Sequence, residues 1–312
     1  MTTLIEIRNL IKRYPFQNRQ MTAVQDLSLT IRKGEILGLA GESGCGKSTV
    51  GRCLLQLTQA TSGSIHFDGQ ILNKMTPCLR KRMQMIFQDP YSSLNPMMTI
   101  EDIVGEPFAI HKICNGEERR NRVLQLLNQV GLEPNALQRY PHEFSGGQRQ
   151  RIGIARAIAL EPEFLVCDEP ISALDATIQK QIVALMRALQ REKGLTYLWI
   201  SHDLAVMESL ADRIAVMYLG RLMELGPARQ LFQNPLHPYT QALSSAIPIP
   251  DPKIEKTRLK LVLQGDIPSP ANPPTGCVFH TRCPMAMPIC KTNVPQLKER
   301  EPGSGRFTAC HL

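Results

Sequence analysis

Apolar and polar residues alternate along residues 4–35 and again along 63–73. With turn signals such as Phe67-Asp-Gly69, this period of two predicts antiparallel strands. Between them, Glu35-Ile-Leu-Gly-Leu-Ala40 is a short apolar run that reads as a buried strand, and residues 49–57 read as a helix. Residues 90–145 are mostly helical in pattern, most clearly over 117–130. From Glu163 to Met223 short apolar runs alternate with helical stretches, the texture of a parallel sheet. The clearest helix there spans 179–192, with Ile182, Leu185, Met186 and Leu189 on one side. These patterns predict an α/β fold with a parallel core sheet, an antiparallel β-subdomain and a helical subdomain at about 90–155. The main domain would cover 1–245. From about Ala246 the texture changes to a Pro- and Cys-rich extension over 246–312, with no long periodic segment.

The predicted strand and helix near residue 40 bracket Gly41-Glu42-Ser43-Gly44-Cys45-Gly46-Lys47-Ser48, which matches G-x-x-x-x-G-K-[S/T] in the context that motif requires. Its glycines let successive backbone N–H groups curl toward phosphate oxygens, and the helix N-terminus adds its positive dipole end. Lys47 would reach the β- and γ-phosphates and the Ser48 hydroxyl would bind Mg²⁺, so the nucleotide contacts run from Gly41 through Thr49. Phe164-Leu-Val-Cys167 reads as a buried strand ending in Asp168-Glu169. A carboxylate in that position can hold the Mg²⁺ shell, and the next one can orient or deprotonate an attacking water.

Phe144-Ser145-Gly146-Gly147-Gln148 precedes a helical pattern with Ile152, Ala155 and Ala159 in phase. Ser145 and Gln148 have the S-x-x-Q form of a capping box. Two glycines at a helix N-terminus make a second anion site, and one triphosphate does not need two complete cradles from one molecule.

Here the chain resembles the ATP-binding subunits of ABC transporters, whose signature is L-S-G-G-Q; Phe144 departs from the leucine but stays apolar. The resemblance covers about residues 4–245 and implies an ABC-type P-loop ATPase. Two such subunits pair head to tail, each ATP lying between the phosphate loop of one and the signature of the other. It further implies that Tyr14, in Lys12-Arg-Tyr14-Pro, stacks on adenine. Gln88, in Met85-Ile-Phe-Gln-Asp89, would be the glutamine that senses Mg²⁺ or water and couples to the membrane partner. Ser172-Ala-Leu-Asp175 would be the loop that crosses the dimer interface, and His202, in Trp199-Ile-Ser-His202, would contact the γ-phosphate. Asp168 and Glu169 match the metal-side acid and the catalytic glutamate. Mg²⁺ would then be held by Ser48, Gln88 and Asp168, with Lys47, Glu169 and His202 acting in catalysis and Ser145, Gly146, Gly147 and Gln148 closing the partner's site.

Composition adds limits. Apolar residues make up 43% of the 312 residues and aromatics 5%, an ordinary globular profile. No run approaches the length of apolar sequence a transmembrane helix needs, and Met1-Thr-Thr-Leu-Ile-Glu-Ile-Arg lacks a signal-peptide pattern. The expectation is a cytoplasmic protein whose channel is supplied by other chains. The net charge is +8, yet no stripe of basic residues with interleaved aromatics suggests nucleic acid. A solvated basic surface near a membrane fits better.

Cys277, Cys283, Cys290 and Cys310 cluster in the extension. Clustered cysteines in a cytoplasmic protein favour metal over disulfide, but the close C-x2-C pairs usual for zinc are absent. Spacing leaves an iron–sulfur cluster, a mixed zinc site with His280 or His311, and reduced buried thiols all open. Gly265-Asp-Ile-Pro-Ser-Pro270, Pro273-Pro-Thr-Gly-Cys277 and Arg282-Cys-Pro284 resemble the C-terminal extension of oligopeptide/dipeptide importer ATPases. That resemblance implies a [4Fe–4S] cluster on the four cysteines. Gln88-Asp-Pro-Tyr-Ser-Ser-Leu-Asn-Pro96 and Asn234-Pro-Leu-His-Pro-Tyr-Thr-Gln-Ala-Leu243 resemble the second of the two ATPase subunits such importers carry. Cys45, Cys53, Cys78, Cys114 and Cys167 read as packing.

The function implied is an ATPase subunit that couples MgATP binding and hydrolysis to uptake of short peptides through two separate permease subunits, at the inner face of the cell membrane. An extracytoplasmic solute-binding protein would take part indirectly. The dimer partner would be a paralogue, with a homodimer as the alternative. Nickel or another small solute is the alternative cargo. A soluble ABC ATPase acting on ribosomes or DNA is the rival class.

Overall fold

The computed structural model describes residues 2–17, 19–247, 261 and 263–312, so residues 248–260 and 262 of the predicted extension lie outside the described residues. By its internal contacts the chain divides into two units. One holds Thr2–Ile31, Glu35–Leu72 and Ser201–Leu312, the other Arg32–Gly34 and Asn73–Ile200.

In the first unit the alternating segments form strands β1 (Thr3–Phe16), β2 (Arg19–Arg32), β4 (Ser62–Phe67) and β5 (Gln70–Ile71), in the order β2-β1-β4-β5. Ile5 lies opposite Phe67 and Ile7 opposite Ile65, so the apolar phase of both strands buries on one face. Asp68 and Gly69 both take positive φ, as a tight hairpin between β4 and β5 needs. Strand β3 (Ile36–Ala40) is buried at every position. It leads through the glycine-rich loop into helix α1 (Lys47–Leu54). The helix begins two residues earlier and ends three residues earlier than its apolar pattern predicts, because Gln56 at φ +53° leaves the helical region.

The second unit carries α2 (Pro77–Arg82), β6 (Met83–Ile86), α3 (Pro90–Ser93), α4 (Ile100–Ile110), α5 (Gly116–Gln129), α6 (Gly146–Ile158), β7 (Phe164–Asp168), α7 (Ala176–Lys193) and β8 (Thr196–Ile200). Strands β6, β7 and β8 are parallel neighbours, and every residue of β7 and β8 is buried, which is why they read as unbroken apolar runs. Asp175 caps α7 by accepting from Thr177 N and Ile178 N. Ile182, Met186 and Leu189 of α7 are buried, while Leu185, expected beside them, is only partly covered.

The chain then returns to the first unit with α8 (Leu204–Leu210), β9 (Arg213–Tyr218), β10 (Arg221–Pro227), α9 (Ala228–Gln233) and α10 (Pro238–Ser245). Strand β9 runs parallel to β3 and antiparallel to β10. Two short C-terminal strands, β11 (Lys298–Glu299) and β12 (Phe307–Thr308), extend that sheet, with Thr308 opposite Glu224. Cys45, Cys53 and Cys167 are buried as expected, but Cys78 is exposed. It sits on α2, a helix too short to have a buried face, so it packs against no core.

Candidate functional site

The phosphate loop is held open by backbone that only glycine supplies. Gly46 has φ +101°, and a Cβ there would meet the Ala23 carbonyl oxygen at 2.1 Å. Lys47 is 4% exposed. Its ammonium donates to Gly41 O at 2.8 Å and Glu42 O at 2.9 Å, which fixes the cation at the centre of the curl. Ser43 and Gly44 are exposed, while Cys45 is buried against Lys47. Burial pushes the Cys45 thiol up, so it stays neutral beside the cation. Tyr14, near the end of β1, is half-buried, and the Lys12 ammonium lies 4.7 Å from its ring centroid while donating to Gln59 O. His202 is exposed, two residues past the end of β8.

In the other unit Asp168 ends β7 and is 3% exposed. Glu169 follows at φ +45°, a left-handed backbone that a side-chain-bearing residue adopts at a cost of order 1–3 kcal/mol. Its N–H donates to Ile200 O at 3.0 Å. Gln88 donates through Nε2 to Glu169 Oε2 at 3.0 Å, which ties the two predicted residues together. Around Gln88 in the chain, Phe87, Tyr91 and Met97 are exposed.

The signature segment has the expected cap. Ser145 Oγ accepts from Gln148 N at 3.3 Å and Gln148 Oε1 accepts from Ser145 N at 3.0 Å. Gly146 and Gly147 are themselves the first turn of α6 rather than the residues before it, so their N–H groups open at the helix terminus. A Cβ on Gly147 would stand 2.5 Å from Ile178 Cγ2. Arg149, almost fully buried, places its guanidinium carbon 3.7 Å from the Tyr91 ring centroid and donates to Pro141 O at 2.6 Å. Arg156 donates to Ser93 O at 2.7 Å. Neither arginine was singled out by the sequence patterns.

The four extension cysteines share one neighbourhood. Cys277 N donates to Cys290 O at 2.8 Å, and both side chains are buried. Burial pushes the Cys277 thiol up to about 11, against a bond from the Phe279 backbone, and the other three cysteines push the same way. Burial also raises Cys283, with Cys310 and Cys290 adding to it. Among the described residues, however, no group of three or more His, Cys, Asp or Glu side chains is gathered to hold a metal ion. The expected ligand set for a cluster is thus present as neighbouring cysteines and not as a formed cage. His280 Nδ1 lies 2.9 Å from Cys277 O and His311 Nε2 3.0 Å from Asn293 O, so each ring is oriented by a backbone carbonyl through one nitrogen.

A cradle on a strand-to-helix loop, a capped glycine pair on a second helix and paired acids after a buried strand are the parts of an ATP-binding cassette. The family model described as ABC transporter matches residues 24–172, and that described as oligopeptide/dipeptide transporter, C-terminal region, matches residues 223–290. The oligopeptide transport ATP-binding protein AppF of Bacillus subtilis is 51% identical, with 99% of this chain and 97% of that protein aligned. The oligopeptide transport ATP-binding protein OppF of Escherichia coli is 52% identical over 90% of this chain and 85% of its own length. Among solved structures, a dimeric ATP-binding cassette in a post-hydrolysis state bound to ADP and Pi is 30% identical, with a TM-score of 0.67 over 72% of this chain and 99% of that one. The chain belongs to the ATP-binding proteins of ABC transporters, in the group with the oligopeptide/dipeptide C-terminal region. It is an ATPase of the ABC fold, which implies ATP as substrate and Mg²⁺ as its metal cofactor.

Proposed function

We propose that this ATPase powers uptake of short peptides through a separate permease, working at the inner face of the cell membrane. The observation that carries the reading is the near-full-length identity to oligopeptide transport ATP-binding proteins, across cassette and C-terminal region alike. Among the described residues no helix is long and apolar enough to cross a membrane, in keeping with a channel made by other chains. The exposed Phe87, Tyr91 and Met97 beside Gln88 offer an apolar face for the two permease subunits. The second ATPase is proposed to be a paralogue.

Residue roles follow the family pattern. Lys47 and the loop amides bind the triphosphate, Tyr14 stacks on adenine, and Ser48, Gln88 and Asp168 offer the oxygen donors that suit a hard cation. When bound, Mg²⁺ neutralises charge on the phosphates. Glu169 orients or deprotonates water, His202 positions the γ-phosphate, and Ser145 to Gln148 complete the partner's site, with Asp175 at the interface. The domain limits proposed are 1–245 for the cassette and 246–312 for the extension.

The test is to purify the complex from its native host and measure ATP-driven uptake of labelled di- to hexapeptides in vesicles. Peptide uptake with two permease chains present supports the assignment. Uptake of nickel ions but not peptides would change the cargo, and ribosomal or DNA-bound partners would overturn the transporter role. A [4Fe–4S] cluster on Cys277, Cys283, Cys290 and Cys310 is proposed alongside. It rests on the likeness of the C-terminal region to that of oligopeptide/dipeptide transporters and on Cys277 lying close enough to Cys283, Cys290 and Cys310 to feel each of them. Anaerobic purification with iron analysis tests it: about four irons per chain, lost in Cys290→Ser, support the cluster, and iron-free protein removes it.

A further inference from the structure

The first unit contains a contact that neither the family pattern nor the peptide reading uses. Arg282, beside the cysteine segment, donates through Nη1 to Glu42 Oε2 at 2.8 Å and to the Tyr218 hydroxyl at 3.4 Å. Glu42 is the second residue of the phosphate loop. The two side chains are 9% and 21% exposed, so solvent screens the pair only weakly. A second tether acts on the same residue: Glu42 N donates to the Tyr239 hydroxyl at 2.9 Å.

Both tethers stand on a packed base. Tyr239 is fully buried on α10, its ring 4.8 Å from that of Tyr218 and 5.2 Å from that of Phe279. Phe279 lies 5.3 Å from Tyr218 at right angles to it, and fixes the turn that carries Arg282. The C-terminal region therefore grips the loop at one residue from two sides, one through the backbone and one through the carboxylate. Lys47 holds the carbonyls of Gly41 and Glu42, so the peptide fixed by Tyr239 is also the one that seats the phosphate-binding cation.

The charge sign gives the contact a consequence. A carboxylate within the loop that receives a triphosphate repels the ligand unless a cation offsets it. We propose that Arg282 and Tyr239 are positioning residues for MgATP. Arg282 offsets the Glu42 charge, and Tyr239 fixes the Glu42 peptide so that Lys47 stays placed for phosphate. This rests on the triphosphate lying on residues 41–48.

The test is equilibrium binding of a fluorescent MgATP analogue, with KM and kcat for ATP, on the full-length protein in its complex. Arg282→Gln should raise Kd and KM about tenfold, the scale of one partly screened charge acting on another nearby, with a smaller change in kcat. The penalty should shrink as salt rises, a response that mere loss of packing would not show. Adding Glu42→Gln to Arg282→Gln should recover much of the lost affinity, because it removes the carboxylate left unpaired beside the phosphates. No recovery in the double variant, or an unchanged Kd in Arg282→Gln, would overturn the proposal. Tyr239→Phe keeps the aromatic packing and removes only the hydroxyl. It should raise KM about threefold, the scale of one hydrogen bond, with Tm little changed. An unchanged KM would remove Tyr239 from the proposal and does not depend on Arg282→Gln folding. Lys47→Ala in the same assay separates the two levels of the reading: if it leaves Kd unchanged, the placement of the triphosphate has failed and the positioning role falls with it.

Discussion

Gln88 Nε2 and Glu169 Oε2 are 3.0 Å apart, so the residue proposed to feel the permease and the residue proposed to act on water share a hydrogen bond. Glu169 is also pinned by its backbone, at positive φ with its N–H on Ile200 O. Gln88 therefore takes part in orienting its carboxylate. Glu169→Gln should lower kcat by about 10²- to 10⁴-fold, the range for a general base, while MgATP Kd changes little. Single-turnover hydrolysis with parallel nucleotide binding checks both halves, and wild-type turnover would refute the role of Glu169. Gln88→Ala should lower kcat less, by about tenfold, the worth of one lost hydrogen bond to a charged group.

The signature glycine has a steric prediction. Gly147→Ala places a methyl 2.5 Å from Ile178 Cγ2, at the first turn of α7. The branched, half-buried side chain must move, at about 1 kcal/mol, the low end for overpacking. Thermal unfolding should show a lowered Tm, and Gly147→Ala/Ile178→Val should recover part of it because the clashing side chain is smaller. A Tm equal to wild type would show that Ile178 has room to turn.

His237 gives a pH dependence. Burial lowers its pKa from 6.5 to about 4, and its Nδ1 accepts from Tyr239 N at 3.0 Å, which requires the neutral ring. Below pH 6.5 the unfolded chain takes a proton that the folded chain refuses. Stability contributed by this group is therefore complete above pH 6.5 and falls as pH drops toward 4, by at most roughly 3 kcal/mol. Glu224 acts oppositely, since burial raises its carboxyl while Leu236 N and His237 N donate to it. Its folded form holds a proton that the unfolded chain has shed, which offsets part of the loss at the acid end. His237→Asn keeps an acceptor at the helix cap without a titrating group. Denaturant titrations between pH 4.5 and 7 should show a flatter stability profile for this variant. Parallel profiles would assign the acid sensitivity elsewhere.

Features whose meaning is local were readable in the chain. The glycine loop, the Ser145–Gln148 cap and the buried strand before Asp168 are each specified within about ten residues, and the structure forms all three. Helix ends were less so, because the stop at Gln56 is a backbone choice that apolar spacing does not encode. For Cys78 residue type alone suggests packing, and only the length of α2 shows that it has no core to join. Tyr239 and Arg282 were visible only as parts of segments resembling a subgroup. Their contact partner lies 197 and 240 residues away, beyond any periodic signal.

The two arginines of α6 have a mechanical meaning. Arg149 lies over the Tyr91 ring beside the first turn, and Arg156 holds Ser93 O two turns further on. Two points of attachment fix a rod in both position and rotation, where one would leave it free to pivot. The helix that begins at Ser145 and Gly147 is therefore clamped at two points to the short helix that carries Tyr91 and Ser93. The helix that presents the signature is a rigid arm whose handle is the short turn after Gln88.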